Sequence, residues 1–151
     1  MKIVVQRSLA SSVSVDNNIV GSIDKGLVLL VGFTYGDTID LLDKMIDKVI
    51  NLRIFEDENG VMNRSVLDVG GSILSISQFT LYADIKKGRR PSYINALNSD
   101  EAINLYNEFN KRLSNFVNVQ TGIFGSDMKV NILNDGPTTI IIESGDFIVK
   151  K

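Results

Sequence analysis

Ser77-Gln78-Phe79-Thr80 places two hydroxyls around a glutamine and an aromatic ring at the end of an apolar stretch, and a basic run, Lys86-Lys87-Gly88-Arg89-Arg90, follows shortly after. A hydroxyl of this kind attacks a carbonyl only when a neighbouring base activates it. The usual base is missing, because the 151 residues include no His and no Cys. Ser-His-Asp and Cys-His catalysis are thereby excluded, and so is every metal site built on nitrogen or sulfur ligands. An enzyme of this composition must work with hydroxyls, carboxylates, amines, backbone amides or a group on its substrate. Backbone N–H groups suit acyl transfer, since donors aimed at a developing oxyanion each supply a few kcal/mol.

Taken singly, these residues also have plain structural readings. Thr80 at a strand end is an ordinary half-buried threonine and Phe79 an ordinary core residue. Arg7 reads as a surface arginine, and Lys86, Lys87, Arg89 and Arg90 as a solvated loop. Ser77 could act as a nucleophile with a lysine base, but only beside a strongly desolvated lysine. Cofactor motifs fail. Gly21 and Gly26 have phosphate-loop spacing, yet Leu27 and Val28 stand where Lys and Ser/Thr are required. A calcium loop ending its turn at Gly60 would need Asp where Phe55 stands. No cofactor and no metal are expected. A net charge of −2 argues against broad binding to duplex nucleic acid while leaving room for a local basic patch.

The elements that must hold these residues are mostly strands. Lys2 to Ala10, Ser12 to Asp16 and Ile19 to Ile23 are short and β-branched, with hairpin-turn chemistry at Asp16-Asn17-Asn18. Gly26 to Phe33 is a nearly continuous apolar run, as expected of a strand covered on both faces. A helix should follow, with Asp37 as cap and Leu42, Met45, Ile46, Val49 and Ile50 on its inner face. An acidic turn, Glu56 to Gly60, separates Ile54-Phe55 from Val61-Met62. Ile73 to Phe79 is a further strand. A second helix is expected from Asp100 to Asn115, capped by Asn98 or Ser99, with Ile103, Tyr106, Phe109 and Leu113 inward. Strands at Val117 to Thr121, Met128 to Leu133 and Thr138 to Ile142 follow, and Phe147-Ile148-Val149 could add another. Strands clustered in runs between lone helices predict one α/β domain over residues 1–151, with mixed sheets layered against two main helices rather than a Rossmann sheet. The start of the chain, Met1 to Arg7, is too soon charged for a signal peptide, and no apolar run is long enough to span a membrane, so a cytoplasmic protein is expected.

Three segments together carry a family resemblance. Ser77-Gln78-Phe79-Thr80-Leu81-Tyr82-Ala83-Asp84 resembles the first signature of the D-aminoacyl-tRNA deacylases, followed as in that family by a Lys-Gly-x-Arg-Pro loop, here Lys87 to Pro91. Asn134-Asp135-Gly136-Pro137-Thr138-Thr139 resembles the second signature. Val5-Gln6-Arg7, Leu52 to Asp57 and Gly125-Ser126-Asp127-Met128-Lys129-Val130 support the match, which runs from Met1 to about Glu143. Departures are small: Ser8 stands where Val is commoner, Arg89 where Asn is usual, and Thr138 where Val is frequent.

The resemblance implies a homodimeric esterase that hydrolyses D-aminoacyl-tRNA, and glycyl-tRNA in part, without a cofactor. It implies catalysis around Ser77, Gln78, Phe79 and Thr80, with the backbone of Gln78 and Phe79 holding the oxyanion and the substrate's 2′-hydroxyl moving the proton. It implies substrate binding and chiral selection by Gly136, Pro137, Arg7 and Met128, with a cis bond at 136–137 that acts across the dimer interface and Arg7 holding the Gly-Pro motif. Lys86, Lys87, Arg89 and Arg90 would then meet acceptor-stem phosphates, contacts that position RNA without reading sequence. A non-catalytic RNA-binding module, an unrelated serine esterase and a purely structural dimer are the alternatives, the last disfavoured by the two intact signatures.

Overall fold

The computed structural model describes residues 1–146; the strand expected at Phe147 to Val149 lies outside the described residues. In chain order the elements are β1 (Lys2–Ser8), β2 (Ser11–Val15), β3 (Asn18–Ile23), β4 (Gly26–Gly32), α1 (Leu42–Asn51), β5 (Phe55–Glu56), β6 (Met62–Arg64), β7 (Ser72–Ser77), α2 (Ser99–Leu113), β8 (Asn118–Thr121), β9 (Lys129–Asn131) and β10 (Asn134–Glu143). A five-stranded sheet runs in the order β10-β1-β4-β7-β8, beside a three-stranded sheet β3-β2-β9 and a small β5-β6 ribbon.

The apolar run at Leu27–Val31 becomes the middle strand of the large sheet, where both faces are covered. Leu27, Leu29 and Val31 point into the core shared with Met45, Val49, Phe109 and Leu113 of the helices. Val28 points the other way, against Val13, Ile23, Leu74 and Ile76. The layers are therefore helices, large sheet, small sheet. The pairs β4–β7 and β7–β8 are both parallel, so each needs a crossover, and right-handed crossovers stepping in one direction leave their helices on one face. That is where α1 and α2 lie.

Local chemistry explains the ends of the elements. The β2–β3 hairpin turns on two residues, Asp16 and Asn17, both left-handed at φ 49° and 65°, the conformation that matches strand twist. Asn98 caps α2 by accepting from the Glu101 N–H at 3.0 Å, and Asp100 and Glu101 at its start face Lys111 and Arg112 at its end, as the helix dipole favours.

Four sequence expectations are corrected. Asp37 does not cap α1. A single 3₁₀ turn, Ile39–Leu41, intervenes, and the Asp37 carboxylate accepts instead from the Thr34 N–H at 2.8 Å and from the Met1 ammonium at 2.7 Å. Ile103 is only half-buried and Ala102 takes the inward position, because the face pressed on the sheet follows Ala102, Tyr106, Phe109 and Leu113. The strand expected at Ile73 to Phe79 ends at Ser77, and the one expected at Met128 to Leu133 narrows to Lys129–Asn131.

The β4–β7 register rests on close backbone approach at Gly26. Its φ is +148°, and a Cβ there would overlap the Ser72 carbonyl oxygen, whereas at Gly60, φ +74°, a Cβ meets nothing. Gly60→Ala should cost about 1–2 kcal/mol from left-handed backbone alone. Gly26→Ala should cost at least about 3 kcal/mol, since main chain must also move. Urea unfolding of the two variants checks this, and equal midpoints would show that the register does not depend on Gly26.

Candidate active site

The parallel strands β4 and β7 end side by side, with Val31 opposite Ser77. Sheets of this kind open a crevice at the carboxyl ends of their strands. Here it is a cavity of about 540 Å³, lined chiefly by apolar side chains that include Phe33, Ile76, Leu97 and Phe124. Ser77, Gln78, Phe79 and Met128 also line it, so the sheet brings together four of the residues singled out from the sequence. Thr80 does not line the cavity. It stands exposed beside it, its hydroxyl accepting a hydrogen bond from the Gln78 side-chain Nε2.

At Gln78 the chain leaves the sheet, and Phe79–Tyr82 forms one 3₁₀ turn. The start of such a turn leaves N–H groups without intrahelical acceptors. Gln78 donates its own N–H to the Val31 carbonyl at 2.8 Å. Of the two backbone donors expected at the oxyanion, Gln78 and Phe79, the Gln78 N–H is thus committed to the sheet. Among the described residues the Phe79 and Thr80 amides have no acceptor. They are adjacent donors beside the cavity, which Phe79 lines.

The site offers no base. Burial, then the Asp37 and Glu143 carboxylates, push the Tyr82 hydroxyl well above its ordinary value. Burial does the same to Tyr106, which donates to the Ser75 carbonyl at 2.8 Å from below β7. Both tyrosines therefore stay neutral in any physiological range. Lys86 and Lys87 are exposed, and neither lines the cavity beside Ser77. The ionic side chains of Lys86, Lys87, Arg89 and Arg90 form no ion pair among the described residues.

Gly136, Pro137 and Arg7 lie elsewhere. Between the pairs Gln6↔Thr139 and Ser8↔Asn134, residues 135–138 stand opposite Arg7 alone. This bulge throws Gly136 and Pro137 outward, both exposed, with the peptide between them cis. Asn134 closes its base by donating to the Arg7 and Thr138 carbonyls, each at 3.0 Å. Arg7 is no surface residue. Only 7% exposed, it donates to the Ile54 carbonyl at 2.8 Å and to the Asp135 carbonyl at 3.3 Å, and pairs with the Asp135 carboxylate. Gly136 adopts φ +114°, and a Cβ would meet the Arg7 guanidinium at 2.8 Å. Only glycine fits there without a shift.

The two loci do not meet within one chain. Three strand spacings separate β10 from β7, about 14 Å, and Pro137 lies five residues along β10 from the level of Ser77, about 16 Å more. Sequence reasoning also missed part of the cavity. Tyr93, Leu97 and the α2 residues Ser99 and Ala102 line it. They arrive because Leu97 donates its N–H to the Phe33 carbonyl at 3.0 Å and Thr34 donates its hydroxyl to the Asn95 carbonyl at 2.6 Å. A run of apolar residues just before a helix cap is the sole local trace of that.

A family model described as D-Tyr-tRNA(Tyr) deacylase matches residues 4–143. A D-aminoacyl-tRNA deacylase of Geobacillus sp. (strain WCH70) is 53% identical over 145 residues, covering 95% of each chain. One from Clostridium botulinum (strain Hall) is 54% identical over 145 residues, covering 95% of this chain and 97% of its own. Among solved structures, the c-Myc DNA Unwinding Element Binding Protein superposes with a TM-score of 0.90 at 39% identity, over 95% of this chain and 98% of that one. A probable eukaryotic D-amino acid tRNA deacylase, at 17% identity, shares the fold with a TM-score of 0.81 over 93% of this chain and 97% of that one.

Arg7 ties a buried and a half-buried carbonyl from different segments with one rigid fork. Arg7→Ala should cost about 1–3 kcal/mol through the acceptors left unsatisfied, and Arg7→Lys should recover little of it, since one ammonium cannot copy the fork. Urea midpoints of the three proteins decide the point, and a lysine variant as stable as the parent would count against it.

Proposed function

The chain belongs to the D-Tyr-tRNA(Tyr) deacylase family, a family of hydrolases, and on that premise we propose how it recognises and cleaves the ester of D-aminoacyl-tRNA. Water attacks the ester carbonyl, and the Phe79 and Thr80 N–H groups stabilise the oxyanion. Collapse of the tetrahedral intermediate breaks the bond to the ribose oxygen. The adenosine's vicinal 2′-hydroxyl relays the proton from the attacking water to that leaving oxygen, and free D-amino acid and tRNA depart. The observation that carries this reading is the pair of uncommitted amides beside an apolar cavity, in a chain without His or Cys. Ser77 and Gln78 position the turn, and Met128 lines the pocket.

Chiral selection belongs, in this reading, to the Gly136-Pro137 bulge of a second copy. Three observations support a dimer. The bulge and the cavity are far apart in one chain. Strand β10 is an open edge of ten residues, a liability when uncovered. The row Ile141–Val4–Leu30 crosses three strands on the face away from the helices, with Ile141 61% exposed. Twofold pairing covers such a surface and delivers each bulge to the other chain's cavity. Main-chain oxygens there hold the α-amino group, so that an L side chain runs into rigid backbone. Glycine has no side chain to exclude, so glycyl-tRNA is accepted in part. Lys86, Lys87, Arg89 and Arg90 meet phosphates of the acceptor stem. Proofreading of charged tRNA places the work in the cytoplasm; no helix among the described residues is long and apolar enough to cross a membrane.

The direct test is hydrolysis of matched D- and L-tyrosyl-tRNA with and without chelator. The D-ester should be consumed in both conditions while the L-ester survives, and equal loss of both would sink the assignment. Thr80→Ala keeps its amide, so it should retain turnover to within about 1,000-fold, short of the roughly million-fold loss of a nucleophile. A trapped acyl-enzyme on Thr80 would overturn the mechanism.

The shared site has its own test. Phe79→Pro removes one donor at a position where helical turns tolerate proline, and Gly136→Val distorts the bulge. Each variant alone should be inactive. Co-folded, about half the dimers carry one intact site of two, restoring roughly a quarter of parental activity. Recovery no greater than the sum of the two variants would exclude a site shared between subunits.

A further inference from the structure

Resting on the deacylase reading above, we propose that Tyr93 and Phe79 form a stacking platform for the unpaired nucleotides that precede the terminal adenosine of the tRNA, with the 85–91 loop gripping their phosphates. The two rings meet edge to face, centroids 5.0 Å apart at 71°. Phe79 is 57% exposed and Tyr93 42%, although both line the cavity rim. Two large apolar rings in mutual contact and open to water at a cavity rim form a patch of the kind that marks an interaction site. Neither ring is needed to close the core, which is complete without them.

Charge says what the occupant is. The loop between the rings' two segments is pinned at its root, where Asp84 and Ser92 exchange backbone hydrogen bonds at 2.7 and 2.9 Å. Tyr93 follows that root directly. The loop carries Lys86, Lys87, Arg89 and Arg90, all exposed and without an ion pair among the described residues. In a chain of net charge −2 four unpaired cations beside two exposed rings are a local anion site with stacking surface. Single-stranded nucleic acid is bound by this combination, a basic track with aromatics under successive bases.

Geometry says which nucleotides. The ester must reach the Phe79 and Thr80 amides, which fixes the terminal ribose at the cavity mouth. The Phe79 ring hangs from the same residue as one of those donors. Bases one and two nucleotides back along the strand then leave the mouth over Phe79 and Tyr93, toward the cations. Stacking is tolerant of base identity, which suits an enzyme serving many tRNAs.

The test compares two substrates, D-tyrosyl-tRNA and 2′(3′)-O-D-tyrosyl-adenosine, which keeps the ester and terminal nucleoside but lacks the preceding nucleotides. Tyr93→Ala should lower kcat/KM on the tRNA ester by roughly 5- to 100-fold, mostly through KM, and lower it several-fold less on the adenosine ester. Tyr93→Phe keeps the ring and should restore the tRNA value. A loss of equal size on both substrates would show that Tyr93 only shapes the cavity, and no loss on either would remove the platform. Failure of the parent protein to hydrolyse either D-ester would instead defeat the deacylase reading itself.

Discussion

The hydrogen bond from the Gln78 N–H to the Val31 carbonyl, 2.8 Å long, is the constraint on which the rest of the site depends. It is the last rung of the parallel β4–β7 ladder, and it decides where the chain leaves the sheet. One residue later the backbone must curl into the 3₁₀ turn, and the Phe79 and Thr80 amides are left without partners beside the cavity. A further rung of the same ladder would have spent the Thr80 amide, the next to face β4, in the sheet. The register that ends the ladder at Val31 is set at its far end, where Gly26 lets the strands approach. The uncommitted donors are thus produced by strand pairing and need no catalytic side chain to create them.

This makes sense of a composition that otherwise looks poor in chemistry. Without His or Cys, and with Tyr82 and Tyr106 held neutral by burial, side chains supply no proton acceptor at the cavity. An aminoacyl ester is already activated, so charge stabilisation in a dry, shaped pocket can carry much of the rate. Backbone donors also have no rotamers to freeze and no protonation state to lose. The reaction's remaining need, a proton relay, falls to the substrate's own hydroxyl in the proposed mechanism.

Much of this framework was legible in the sequence because it is local. Three- and four-residue spacing marks both helices, the unbroken Leu27–Val31 run marks a strand covered on two faces, and Asp16-Asn17 marks a tight hairpin. What the sequence hid depends on distant partners. Asp37 has the composition of a helix cap, yet its carboxylate is drawn to the Thr34 amide and the Met1 ammonium, a choice set only once β1 and β4 pair. Tyr93 and Leu97 read as loop residues until Phe33 receives the Leu97 amide. The committed Gln78 amide follows from pairing register, which a motif does not encode. Arg7 is the sharpest case, since nothing in Val5-Gln6-Arg7 reveals that its guanidinium is buried under a bulge formed more than a hundred residues later.

That burial explains why the Gly-Pro bulge keeps its shape. Four residues looped out of an edge strand would ordinarily be mobile, because they lose their ladder partners. Here Asn134 closes the neck with two main-chain hydrogen bonds, and Arg7 fills the space behind with a fork that holds Asp135 and Ile54 together. The guanidinium also sits where a side chain on residue 136 would have to go, so the glycine and the arginine fit as a pair. A rigid main-chain prong is what discrimination between mirror-image substrates requires: two esters of equal reactivity differ only in where one substituent points, and a wall that yields would let both through. The Arg7–Asp135 pair, buried only on the arginine side, therefore serves the geometry of the bulge, and in the proposed mechanism the open β10 edge beside it supplies the surface on which a second copy brings that prong to the oxyanion donors.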